Sequence, residues 1–312
     1  MQARFDGKAG ALAKAEGSLR VVVAALAGNL AIAVTKFVAF AFTGSTAILT
    51  EGIHSLVDTG DQGLLLIGQR RAKRPADDSH QFGYGLETYF WSFIVSLMIF
   101  LAGGAVSVWE GAEKLLHPGD LRRPWISLAV IAASAAFEGL TFRVAWREYR
   151  RVVRYRAVTL FAFLKISKDP NLFATLLEDG AALTGLAFAA LGVIGAGFLH
   201  LAWADGAASI AIGLLLLLVA LFMANETRSL IAGEAAADPI VDHVRQIAQG
   251  CGDLGELKSL RTLHLGPNTI LVALHWRFPE AWDRPQLDAG MAELSRRIRT
   301  ADERIAEVLF EA

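Results

Sequence analysis

Glu51-Gly52-Ile53-His54-Ser55-Leu56-Val57-Asp58-Thr59-Gly60-Asp61 puts four ionisable side chains inside an otherwise apolar run, Ser45–Gln69. Five further apolar runs surround it: Leu19–Phe42, Glu87–Leu116, Pro124–Trp146, Asn171–Leu201 and Trp203–Ala224. A hydrocarbon layer about 30 Å thick needs about 20 helical residues to cross it. All six runs meet that length, so the sequence predicts an all-α bundle of six membrane-spanning helices. The second and fifth are the least hydrophobic, because ionisable residues interrupt them. Hydrophobic residues make up 54% of the 312-residue chain, above the ~45–50% of soluble domains.

The other totals exclude more than they select. Thirty basic and 31 acidic residues leave a net charge of −1, which gives no case for nucleic acid. Cys251 is the only cysteine, so an intramolecular disulfide and a thiolate-rich metal cluster are both impossible. The first apolar run is longer than a signal-peptide core of ~7–15 residues and reads as a spanning helix.

Loop charge sets the orientation. Arg70, Arg71, Lys73 and Arg74 follow the second span, and Arg147, Arg150, Arg151, Arg154, Arg156, Lys165 and Lys168 follow the fourth. The turns after the first and fifth spans carry no Lys or Arg. The third loop, with Lys114, Arg122 and Arg123, is a mild exception. The positive-inside rule then puts both termini in the cytoplasm. An Ala- and Arg-rich chain of this kind suits a bacterial inner membrane.

After Ala224 the composition changes. Residues 239–250 have amphipathic helical spacing. Ser259–Leu265 and Thr269–Phe278 alternate apolar and polar residues as half-buried strands do, with the turn Gly266-Pro267-Asn268 between them. Residues 285–299 are again helical, and 304–310 read as a last strand. We therefore expect a membrane domain over 1–226 and a small α+β domain of αββαβ order over 227–312.

The intramembrane ionisable residues carry the chemistry. An ionisable group in a spanning helix costs at least ~2.5–3.5 kcal/mol and marks a pathway. His54 and Asp58 are four residues apart and share a helix face. An imidazole and a carboxylate so placed supply two of the four ligands of a tetrahedral divalent ion. The fifth span offers Glu178 and Asp179. Asp58 lies about 13 residues into its span and Asp179 about 8 into its own, from opposite sides. At 1.5 Å per residue these are roughly 20 Å and 12 Å deep, a shared level near mid-bilayer. Glu51 and Asp61 read as supporting groups or end residues. A structural His–Asp hydrogen bond is the bland alternative.

At these residues the chain resembles the cation diffusion facilitator family. The resemblance runs through Gly44-Ser45-Thr46-Ala47-Ile48-Leu49, Glu51, His54-Ser55-Leu56-Val57-Asp58, Asp77-Asp78-Ser79-His80-Gln81-Phe82-Gly83-Tyr84-Gly85, Ala204-Asp205-Gly206 and Glu226-Thr227-Arg228. It implies a homodimer of six-helix protomers with a ferredoxin-like cytoplasmic domain, lodged in a lipid bilayer and exporting zinc or a related divalent ion in exchange for protons. His54 and Asp58 match the first ligand pair of the transport site, and Asp179 the last ligand. The residue four before Asp179 is Thr175, a departure from the family's His or Asp. Glu178 precedes Asp179 instead, in a Leu176-Leu177-Glu178-Asp179 stretch that resembles the branch holding mitochondrial zinc transporters. The fourth ligand is thus open between Glu178, Thr175, water and another helix. Asp77 and His80 match a peripheral loop site, with Tyr84 where a second His would stand. His275 matches a ligand position of the C-terminal domain, while Lys258 and Phe310 occupy others. That domain, with His243, His264 and His275 read as surface or structural, is expected to serve dimerisation.

The ion is cargo, so no resident cofactor is expected. Protons and metal compete for the same groups, which supplies the coupling. His54 favours zinc; manganese, iron and cobalt are alternatives. A membrane metalloenzyme is disfavoured by the lack of a His-Glu-x-x-His or Gly-x-Ser-x-Gly pattern. A non-transporting metal sensor or scaffold is the other rival, and it has no use for costly intramembrane carboxylates.

Overall fold

The computed structural model describes Leu26 and residues 29–117, 123–153 and 168–311. Six long helices come first. They are α1 (Asn29–Thr43), α2 (Thr46–Ala72), α3 (Glu87–Leu116), α4 (Pro124–Val153), α5 (Pro170–Gly197) and α6 (Ala204–Gly233). Among the described residues, four segments are long and apolar enough to cross a membrane: Glu87–Leu116, Pro124–Arg147, Phe173–Gly197 and the run beginning at Ala204. The apolar part of α1 is shorter, and residues 19–25 of the first expected span lie outside the described residues. The 27 residues of α2 suffice in length, at about 1.5 Å each, but its charges keep it out of the apolar set. Arg122, Arg154, Arg156 and Lys165 of the expected basic loops also lie outside the described residues.

Polarity runs opposite to that of a water-soluble protein. Leu30, Val34, Val38 and Phe42 form an exposed apolar stripe on α1, and Leu140 and Val144 of α4 and Leu218 of α6 are exposed too. The interior holds Lys36, Thr50, Glu51, His54, Ser55, Asp61, Ser92, Ser127, Ser134, Glu138, Glu178, Asp205 and Ser209. In water such an exterior would aggregate. In lipid it is the expected solvent-facing surface, and polar groups belong inside.

The chain divides into two compact units. The first comprises residues 1–64, 94–152 and 174–222. In it, α3 and α6 touch backbone to backbone. A Cβ on Gly111 would strike the Gly206 carbonyl and the Ile210 nitrogen, and one on Gly213 would strike the Val108 nitrogen and the Gly104 carbonyl. Gly104 and Gly111, like Gly206 and Gly213, are seven residues apart, two turns on one face. Small residues permit this approach where lipid gives helices no hydrophobic reason to associate. Beside the seam, Ile99–Ala105 of α3 is wound as π-helix, and Ser107 Oγ donates to the Gly103 carbonyl at 2.5 Å.

The turn into α2 is built from three helices. Gly44 sits at φ +69°, a conformation that side chains disfavour. Asp205, in the first turn of α6, accepts bonds from Ser45 Oγ at 2.5 Å, Thr46 N at 2.7 Å and Thr46 Oγ1 at 2.8 Å. Lys114 Nζ, near the end of α3, donates to the Gly44 carbonyl at 3.1 Å. The N-terminus of α2 is therefore capped by a carboxylate 159 positions away in the chain, a satisfied helix end in the sense usually met by a local Ser or Asp.

The second unit comprises residues 65–93, 153–173 and 223–312. Its C-terminal part contains α7 (Asp238–Gln249), β1 (Glu256–Gly266), β2 (Thr269–Arg277), α8 (Arg284–Arg299) and β3 (Ile305–Glu311), the αββαβ order expected. The sheet runs β1-β2-β3, antiparallel then parallel. Ile270, Val272, Leu274 and Trp276 of β2 alternate into the core, where they meet Val244, Ala248 and Cys251 on one side and Leu294 and Ile298 of α8 on the other. Asp283 and Gln286 close a capping box at the start of α8. The polypeptide entering this domain is clasped. Lys168 Nζ pairs with Glu234 at 2.6 Å, His264 N donates to the Glu234 carbonyl at 2.9 Å, and Ala236 N donates to Thr262 Oγ1 at 3.0 Å.

Candidate functional site

The first unit gathers ionisable side chains from four helices. On α2, His54 and Asp58 face each other as their spacing requires, with Nδ1 and Oδ1 3.3 Å apart. The contact lacks hydrogen-bond geometry. Both ring nitrogens of His54 and Oδ1 of Asp58 are buried without a hydrogen-bond partner. Buried polar atoms are ordinarily satisfied, so the imidazole and carboxylate without hydrogen-bond partners mark this turn as the candidate site.

Glu178 and Asp179 of α5 both neighbour Asp58. Glu178 is an electrostatic neighbour of Asp61 and Asp58, and Asp179 of Asp58 and Glu138. Consecutive helix positions point about 100° apart, and the two carboxylates use that divergence. One oxygen of each, Glu178 Oε1 and Asp179 Oδ2, lacks a partner, as do both oxygens of Asp61. Thr175 is exposed. Among the described residues no three His, Cys, Asp or Glu side chains stand close enough to hold one metal ion. The four expected ligands share one region of the bundle without forming a finished coordination shell.

Two further groups belong to this region and were missed in the sequence. Lys36 of α1 is buried and spends its ammonium on one turn of α2: Ser55 Oγ at 2.8 Å, Glu51 Oε2 at 3.1 Å and the Glu51 carbonyl at 3.4 Å. Glu51 Oε1 lies against Gly185 of α5, where a Cβ would be only 2.6 Å away. Glu138 of α4 is also buried. Each is a charge inside an apolar run, and the insertion-cost argument applied to α2 and α5 would have flagged both.

Outside the helices, the loop groups are already engaged. Asp77 Oδ1 accepts from Ser79 N at 3.0 Å, Ser79 Oγ at 2.7 Å and His80 N at 2.8 Å, while Oδ2 accepts from Tyr84 OH at 2.6 Å. The His80 ring stacks on Tyr84 at 4.0 Å. These bonds, Tyr84's foremost, hold the Asp77 carboxyl well below the usual carboxylate range. Tyr84, which stands in place of a ligand, organises the turn. In the C-terminal domain His275 is exposed on β2 and His243 on α7. Lys258 pairs with Glu256, and Phe310 packs on the core. His264 is buried, its Nδ1 3.2 Å from the Gly266 carbonyl.

Comparison with known proteins places the chain in a family. The family described as cation efflux transmembrane domain matches residues 22–232, more than half of the chain. The human mitochondrial proton-coupled zinc antiporter SLC30A9 is 29% identical over 251 residues, 80% of this chain and 44% of its own length. Metal tolerance protein C4 of Arabidopsis thaliana is 28% identical over 253 residues, 81% of this chain and 55% of its own. The cation-efflux pump FieF of Serratia proteamaculans is 28% identical over 247 residues, covering 79% and 76%. The chain thus spans about half the length of the first two relatives, and these are transporters rather than enzymes. With apolar side chains outside, ionisable ones within and a family match across all six long helices, the chain is an integral multi-pass membrane protein belonging to the cation efflux family.

Proposed function

We propose that the protein exchanges a divalent cation, zinc, for protons, and that His54, Asp58 and Asp179 hold the ion in transit, with a fourth place open to Glu178 or water. The observation that carries this is the bare His54–Asp58 turn, buried and partnerless opposite the α5 carboxylates. Zinc suits the imidazole nitrogen, and relatives bearing the name of proton-coupled zinc antiporter support the same choice. Neutral imidazole and ionised carboxylates bind metal; protonated ones release it, so loading and unloading exchange protons for the ion. Two alternately exposed conformations of a homodimer in a bacterial inner membrane complete the cycle. The loop pair Asp77 and His80 takes a second ion only by giving up the Tyr84 bond, and His275 takes one only with ligands brought from elsewhere.

The test is counterflow in sealed proteoliposomes, with zinc and pH indicators inside. The wild-type chain is expected to move zinc against a proton gradient. His54→Ala and Asp58→Ala should fall to the rate of protein-free vesicles while still inserting and dimerising. Undiminished zinc flux in either variant would contradict the assignment.

A further inference from the structure

We propose that Glu138 of α4 is the fourth ligand of the transported ion, so that the site is built from three helices rather than two. This rests on the transport reading above and fills the place that the sequence leaves open at Thr175.

The helix itself points Glu138 inward. Ser127, Ile131, Ser134, Glu138, Ala145 and Tyr149 are its buried positions, spaced by three, four and seven as one face of an α-helix. Leu140 and Val144, off that stripe, are exposed. The one carboxylate of the stripe lies about one turn before the α4 residues that meet the α5 pair. Phe142, one turn on, abuts Gly180, with its ring 3.8 Å from where a Cβ there would sit. Thr141 comes within hydrogen-bonding reach of Asp179. Glu138 is an electrostatic neighbour of Lys36, His54 and Glu51, and of Asp58 and Asp179.

The alternative counter-ion is already committed. An ammonium has three N–H donors, and those of Lys36 meet Glu51 twice and Ser55 once. Among the described residues the Glu138 carboxylate makes no hydrogen bond or ion pair. The Glu138 side chain is 8% exposed, and a visiting cation offsets the cost of holding a carboxylate there. His54, 1% exposed with both ring nitrogens bare, supplies the nitrogen. With Asp58, Asp179 and Glu138 it makes one nitrogen and three oxygens, a set that tetrahedral zinc accepts. Thr175 is exposed. Since no three of these groups are yet at coordination distance, binding draws the α4 turn toward α2 and α5.

The experiment uses the full chain in lipid nanodiscs, titrated with Zn²⁺ by calorimetry and with Co²⁺ by visible absorption. Asp58→Asn is the reference for a lost ligand. Glu138→Gln is expected to weaken Zn²⁺ binding by at least about tenfold, the lower end of what loss of even an outer partner does, and to weaken the Co²⁺ band of a four-coordinate site. Wild-type affinity and band in Glu138→Gln, with binding lost in Asp58→Asn, overturn the proposal and leave the transport reading standing. Wild-type binding in both variants sinks the transport reading itself. Should Glu138→Gln not yield folded protein, Glu138→His decides. A coordinating imidazole shifts the Co²⁺ band, and an unshifted band removes Glu138 from the site.

Discussion

Lys36 shows what a single residue contributes in this bundle. Its ammonium is buried against Glu51 and Ser55, one turn before the ligand pair. Truncating one member of a buried ion pair leaves a bare charge and costs about 3–5 kcal/mol, whereas replacing both by apolar groups is often neutral. Lys36→Met should therefore lower the thermal midpoint of the detergent-solubilised protein sharply, and Lys36→Met with Glu51→Met should restore most of it. A double variant no better than the single one would show that the pair does not act as a unit. The sequence made the His54–Asp58 face legible because a spacing of four is a statement about one helix. It did not reveal that Lys36 meets Glu51, since a contact between helices has no local signature. Glu178 and Asp179 stayed ambiguous for the same reason: helix rotation is set by neighbours.

Elements are governed here by their ends and seams. The αββαβ order and the limits of β2 and α8 were legible because period-two alternation, a Gly-Pro-Asn turn and helical spacing are local signals, while β1 starts earlier than expected, at Glu256. The start of α2 is different. Gly44-Ser45-Thr46 and Ala204-Asp205-Gly206 read as separate motifs in the sequence, and the fold makes them one cap. Asp205→Ala should fray the first turn of α2, a loss of about 0.5–2 kcal/mol by the measure of ordinary caps. Hydrogen exchange should then rise at residues 46–49 while the amides of α5 keep their protection. Unchanged exchange at Thr46 would mean that the cap is decorative.

For the molecule as a whole, acidity enters through His264. Burial, followed by the nearby charges of Lys168 and Arg304, lowers its pKa below the ordinary 6.5 against the opposing pull of the Gly266 carbonyl and Glu234. The unfolded chain then binds a proton that the folded one refuses. The stabilising contribution is complete above about pH 6.5 and is lost as pH falls from there toward the folded value. The clasp of Lys168, Glu234 and His264 should loosen in that window, seen as faster hydrogen exchange at residues 262–266 at pH 5.5 than at pH 7.5, beyond the intrinsic rate change. His264→Asn should flatten this dependence, and a wild-type slope in that variant would assign the effect elsewhere.

The glycine contact between α3 and α6 has a mechanical corollary. Side chains between two rods act as bearings that can roll and redistribute strain, and at Gly111 and Gly206 the backbones meet with only Ile210 and Leu115 alongside. Two rods in bare contact shift together or not at all, so a displacement imposed on one is handed to the other undamped. A single methyl at that seam would be a shim felt along the length of both.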